Sequence, residues 1–92
     1  VMTSSMVAMM YRAGHPKRFD VLESDWSDPD WAPATPYIIS KTRAERAAWD
    51  FMEAQGAREA LVTINPGFVL GPAMDRDSGT SLDALALLLK GA

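Results

Sequence analysis

Cysteine is absent from these 92 residues. That removes disulfides, zinc-finger spacings and thiol nucleophiles together, and it fits a reducing, cytoplasmic compartment. An excess of positive charge is lacking too, since nine basic residues face twelve acidic ones for a net charge of −3. No basic stripe runs along any segment, which argues against nucleic acid or an anionic membrane as partner. The longest apolar runs, Met6 to Tyr11 and Ala84 to Leu89, are far too short to span a bilayer. The start of the chain has no basic segment leading into an apolar run, as a secretory signal requires. Histidine occurs once, at His15 between Gly14 and Pro16, and reads as a solvent-facing turn residue. Asp20, Glu23, Asp25, Asp28 and Asp30 are scattered without a histidine cluster, so no metal site is expected.

What is present is enough apolar side chain, 48% of residues, for one small core. The start of the Val- and Met-rich stretch Val1 to Met10 reads as the end of a buried parallel strand with the hydroxyl cluster Thr3-Ser4-Ser5 at its carboxyl edge, where open α/β sheets bind ligands. The plain alternative for Ser4 and Ser5 is that they cap a turn or the next helix. Tyr11 to Pro36 is irregular, but Trp26 and Trp31 each need cover for a ring, which argues for order. Thr35 then caps a helix with Pro36 in its first turn, and Gly56 stops it after Gln55. Its polar side carries Arg43, Arg46, Asp50 and Glu53. The spacing of Tyr37, Lys41, Ala44, Ala48 and Phe51 predicts the buried side. Ala60 to Asn65 reads as a second buried strand, ended by Pro66-Gly67. After a glycine-rich loop, Thr80 or Ser81 caps a helix over Leu82 to Lys90, whose Leu82, Leu85, Ala86 and Leu89 side predicts core or subunit contact. The chain opens on Val1-Met2 inside a strand and closes on Lys90-Gly91-Ala92 straight after a helix, so it reads as a piece of a longer protein.

Chemistry centres on Tyr37-Ile38-Ile39-Ser40-Lys41. Four residues on a helix place the phenol and the ammonium on one face, about 6 Å apart along the axis. A phenol is a weak acid or base at neutral pH, and a neighbouring ammonium favours its anion, as proton transfer to a carbonyl or from an alcohol requires. The order β-loop-α-β brings strand carboxyl ends and the helix N-terminus to one rim of a parallel sheet, so Ser5, Tyr37 with Lys41, and Asn65-Pro66-Gly67 can converge on one crevice.

Thr3-Ser4-Ser5, the Tyr37-to-Lys41 stretch and Asn65-Pro66-Gly67-Phe68-Val69-Leu70-Gly71-Pro72 together closely resemble the extended short-chain dehydrogenase/reductases. Glu23-Ser24-Asp25-Trp26-Ser27 and the helix Ser40 to Trp49 resemble the dihydroflavonol-reductase-like branch of the NAD-dependent epimerase/dehydratase family. The resemblance implies a Rossmann-like doubly wound α/β fold, of which residues 1–92 would be a central to C-terminal part. It implies an oxidoreductase moving hydride between NAD(P)H, with NADPH favoured over NADH, and a ketone, aldehyde or secondary alcohol. Tyr37 would be the acid/base, Lys41 would favour its phenolate and hold the nicotinamide ribose, and Ser5 would hold the substrate oxygen, with Ser4 as the alternative one position back. Pro66, Gly67, Phe68 and Val69 would pass beside the nicotinamide ring. The loops from Met6 and from Gly71 to Thr80 would line the substrate pocket, and the intact protein would be a homodimer. No G-x-G-x-x-G occurs here, so the phosphate loop would lie upstream and the substrate lobe downstream, leaving the piece inactive alone. The same residues would also serve a nucleotide-sugar epimerase or dehydratase, or a non-enzymatic dinucleotide-binding relative.

Overall fold

The first strand and the third quarter of the chain meet as neighbours. In the computed structural model, which describes residues 1–72, 74–76 and 79–91 (Thr80 through its backbone alone), β1 (Met2–Thr3) pairs in parallel with β2 (Thr63–Ile64). The register sets Met2 against Thr63 and Thr3 against Ile64. Amide hydrogen bonds from Met2, Ser4 and Met6 to the carbonyls of Val62, Ile64 and Pro66 carry the pairing beyond the two-residue strands. Between them run the long loop and α1 (Pro36–Ala54), so the crossover is β-loop-α-β, as a parallel pair demands.

Helix α1 begins and ends where its caps dictate. The Thr35 hydroxyl accepts the Ile38 N–H at 3.3 Å, Pro36 occupies the first turn, and Gly56 takes the left-handed φ of 65° that lets the chain leave after Gln55. The expected buried side is corrected by about one residue of phase. Ile38, Thr42 and Glu45 are buried, while Tyr37, Ala44 and Phe51 are exposed and Lys41 and Ala48 are half-buried. Ile38, Thr42, Glu45, Trp49 and Met52 lie along the covered side, and α1 packs on the 3₁₀ turns at Met6–Ala8 and Arg58–Ala60. Alanines at 44, 47 and 48 fit either phase, so the apolar pattern alone left the choice to Tyr37 and Phe51.

Other expectations also change. Only Thr63–Ile64 is strand within Ala60 to Asn65, and Val62 and Ile64 are exposed; Arg58–Ala60 is a 3₁₀ turn. Helix α2 (Gly79–Leu89) starts before Thr80 and Ser81, so neither caps it from outside; the Ser81 hydroxyl accepts the Val69 N–H at 2.9 Å instead. Of its apolar side only Leu82 is half-buried, and Leu85, Ala86 and Leu89 are exposed. His15 is half-buried rather than solvent-facing, with its ring stacked 3.7 Å from that of Phe19. Apolar contact between the two rings outweighs the turn signal of Gly14-His15-Pro16.

Among the described residues only Ala8 and Ile38 are buried apolar side chains, against Ser4, Ser27, Thr42 and Glu45 among polar ones. The Cα radius of gyration is 15.4 Å, where a compact domain of this length would have about 12 Å. Hydrogen bonds to buried polar groups therefore hold the elements together more than a hydrophobic centre does.

Candidate functional site

Where β1 ends, the backbone turns into the Met6–Ala8 3₁₀ turn with Ser5 as its cap, its hydroxyl accepting the Val7 N–H at 3.3 Å. Ser5 thus fills both roles that the hydroxyl cluster allowed: it caps a turn, and it also borders a cleft. That cleft, about 390 Å³, is lined by Ser5, Met6, Val7, Met10 and Tyr11 from the first segment, Tyr37 from α1, Pro66 to Phe68, and Ser81. Ser4 is turned the other way; it is buried, and its hydroxyl donates to the Glu45 carboxylate. Of the two serines, Ser5 alone stands where a molecule in this cleft would meet it.

Tyr37 is 51% exposed in the first turn of α1, with its ring on the cleft. The Lys41 ammonium sits 5.9 Å from the centre of that ring, one turn on, within range of a cation–π contact. The i, i+4 spacing accounts for this meeting directly. Lys41 itself does not border the cleft among its described lining. Pro66, Gly67 and Phe68 do, whereas Val69 turns away, its amide engaged by Ser81. The loop from Met6 supplies much of the wall. Between Gly71 and Thr80 no described residue is part of the lining, and Ala73, Asp77 and Ser78 fall outside the described residues.

One buried serine holds that wall in shape. Ser27 is fully buried; its hydroxyl donates to the Val7 carbonyl at 2.5 Å and accepts the Tyr11 N–H at 2.9 Å, while its amide donates to the Ala8 carbonyl at 2.8 Å. The wall residues from Val7 to Tyr11 are therefore stapled to the loop rather than free. Further out, the Leu22 amide and Arg12 both reach the Asp25 carboxylate, at 2.7 and 2.9 Å, and hold its pKa below the usual range. Tyr11 stacks on Trp31 with ring centres 6.2 Å apart. Replacing Ser27 by alanine would leave the Tyr11 amide and the Val7 carbonyl without that partner, at about 1–3 kcal/mol of stability. The expected loss is read as a lower melting temperature of the Ser27→Ala protein beside the parent.

A second hollow, about 440 Å³, lies under α1 and is lined among others by Trp26, Glu45, Trp49, Arg58 and Asn65. Of its charged groups, Asp25, Glu45 and Arg58 are already engaged. Glu45 accepts from four side chains, and Arg58 stacks on Trp49 at 4.8 Å and pairs with Glu53 at 3.6 Å. The hollow is larger, but the cleft at Ser5 and Tyr37 offers the groups that a ligand could use.

Glu45 is a buried carboxylate beside the site that the pattern of the chain failed to single out. The signal was an acidic residue in register with Ile38, Thr42 and Trp49 at helical spacing, which marks a carboxylate facing the strands.

No family model matches this chain, and no solved structure does. Curated proteins do. The chain is 38% identical over its whole length to a cinnamoyl-CoA reductase of Medicago truncatula, 28% of which it covers. It is 38% identical, over 65% of its residues, to dihydroflavonol 4-reductase of Arabidopsis thaliana, covering 16% of that protein. A Candida albicans protein provisionally named an NADPH-dependent methylglyoxal reductase matches at 33% identity over 75% of the chain, which covers 22% of it. The chain thus spans less than a third of each of these relatives. Identity at this level is homology, and it ties the chain to the extended short-chain dehydrogenase/reductases, with dihydroflavonol 4-reductase among the relatives it matches.

Proposed function

We propose that this chain is the catalytic segment of an NAD(P)-dependent reductase of aldehydes or ketones, working in reverse on secondary alcohols, with NADPH the favoured donor. The observation that carries the reading is that Ser5, Tyr37 and the Pro66–Phe68 loop, from three separate stretches, border one cleft. The reductase names of the relatives and the NADPH in one of them support it.

The nicotinamide end of such a cofactor suits this cleft. Met6, Val7, Met10 and Phe68 offer an apolar wall to a flat ring, and the space beside Gly67 is open, with nothing within 4 Å of where a Cβ would stand. Phosphates call for a Gly-rich turn, and none occurs in these residues, so that part of the Rossmann domain belongs to another stretch of the protein. A bound dinucleotide would supply the hydride. The chain's own residues handle the oxygen and the proton. Ser5, whose oxygen already accepts from Val7, points its hydroxyl proton at the carbonyl oxygen and polarises it. Tyr37 gives that oxygen its phenolic proton, and the Lys41 ammonium beside the ring stabilises the phenolate left behind.

The test is turnover by the full protein that carries this chain. It should consume NADPH when offered methylglyoxal, an aromatic aldehyde or a simple ketone, and leave nucleotide sugars unchanged. Conversion of a nucleotide sugar with no net consumption of NADPH would replace the reading with epimerisation. The 92-residue chain alone is expected to turn over none of these probes, and a measurable rate from it would refute the assignment of cofactor phosphate binding to another stretch.

A further inference from the structure

Glu45 lies outside the cleft yet is tied to its rim. Its carboxylate, 5% exposed, accepts hydrogen bonds from four neutral groups. One oxygen takes the Ser4 hydroxyl and the Asn65 side-chain amide at 2.8 Å; the other takes the Trp49 indole N–H at 3.2 Å and, at a long 3.4 Å, the Thr63 hydroxyl. The same Asn65 nitrogen donates to the backbone carbonyl of Ser5 at 3.0 Å. One side chain of α1 thereby grips the end of β1 twice, through Ser4 and, by way of Asn65 at the end of β2, through Ser5.

We infer that Glu45 is a positioning residue for Ser5: it locks the Ser4–Ser5 backbone and so fixes where the Ser5 hydroxyl stands in the cleft. The inference rests on the reading of Ser5 as the group that holds the substrate oxygen. Donor chemistry explains why a carboxylate is needed. An indole N–H can only donate, and Asn65 must present its NH₂ to satisfy the Ser5 carbonyl. Glutamine in place of Glu45 would set its own NH₂ against one of these two donors whichever way it turned. Aspartate, one methylene shorter, would not reach both sets. Only a group that accepts at both oxygens satisfies the site.

The experiment uses the full protein that carries this chain, with NADPH and methylglyoxal as probes and hydrogen-exchange mass spectrometry as a readout that needs no activity. Glu45→Gln is expected to speed exchange of the Ser4 and Met6 amides about tenfold or more, since these amides hold the end of β1 to Ile64 and Pro66. It should lower kcat about tenfold and leave KM for NADPH unchanged. In a Ser5→Ala background the same change should cost less than about twofold, because the group being positioned is gone. Asn65→Ala removes only the bridge and should reproduce the exchange and kcat losses, which covers the case in which Glu45→Gln fails to fold. Unchanged exchange at Ser4 and Met6, or an equal kcat loss with and without Ser5, would overturn the inference. A Ser5→Ala protein with full kcat would instead remove Ser5 from the proposed reaction, and the exchange result would still decide whether Glu45 holds this backbone.

Discussion

Tyr37→Phe, made in the full protein that carries this chain, is expected to lower kcat for carbonyl reduction by about 10² or more while leaving NADPH affinity within about twofold. A positioned general acid contributes on the order of 10² to 10⁴ in rate, and the lower end of that range is about 2.7 kcal/mol of barrier. The substitution removes one oxygen and little else. The ring that borders the cleft remains, and so does the face over which the Lys41 ammonium sits at 5.9 Å. Loss confined to kcat is the signature of an interaction made in the transition state, which separates this role from a packing one. Steady-state rates with a fluorescence titration of NADPH make the measurement. A variant as fast as the parent would take Tyr37 out of the mechanism and leave the cleft as a binding site only.

The other large effect concerns folding. Glu45→Ala is expected to destabilise the protein by about 3 kcal/mol or more, which is a sizeable part of the total for most domains. Hydrogen bonds to a charged acceptor contribute about 1.5–3 kcal/mol each, and Glu45 accepts from Ser4, Asn65, Trp49 and, weakly, Thr63. Their full sum is too high an expectation, because Glu45 borders the 440 Å³ hollow and water can reach some of the abandoned donors. The cost of burying the charge also enters with opposite sign, yet removing only the carboxylate strands its donors, which is the unfavourable half of that balance. Denaturant unfolding of both proteins decides the point; a difference below about 1 kcal/mol would mean the donors are rehydrated without penalty and that packing holds β1 to α1.

Much of the frame can be read from the residues in order. Thr35-Pro36 and Gly56 bracket α1 as their cap chemistry requires, and two short β-branched stretches on either side of a long helix pair in parallel. Ser5, Tyr37 and Pro66 to Phe68 come together because a parallel crossover gathers those ends at one rim. The rotation of α1 was not legible. Its alanines carry no phase information, and two of its three aromatics, Tyr37 and Phe51, are exposed while Trp49 is half-buried. The side that does face the strands is marked by polar residues, Thr42 and Glu45, which periodicity rules count as surface. Thr42 closes its hydroxyl onto the Ile38 carbonyl at 2.7 Å, and Glu45 is matched by donors just past the ends of β1 and β2, far away in the chain. The length of α2 was underestimated for a simpler reason: its start lies among small residues with little helix signal of their own.

Two of the wall residues beside Ser5 and Tyr37 are thioethers, Met6 and Met10. Such unbranched side chains reshape at little energetic expense, so a hydrocarbon tail laid against them need not have one outline. On the proposed reading, fixed hydroxyls at the mouth and a yielding lining behind them would make the cleft strict about the oxygen it grips and lenient about the skeleton attached to it.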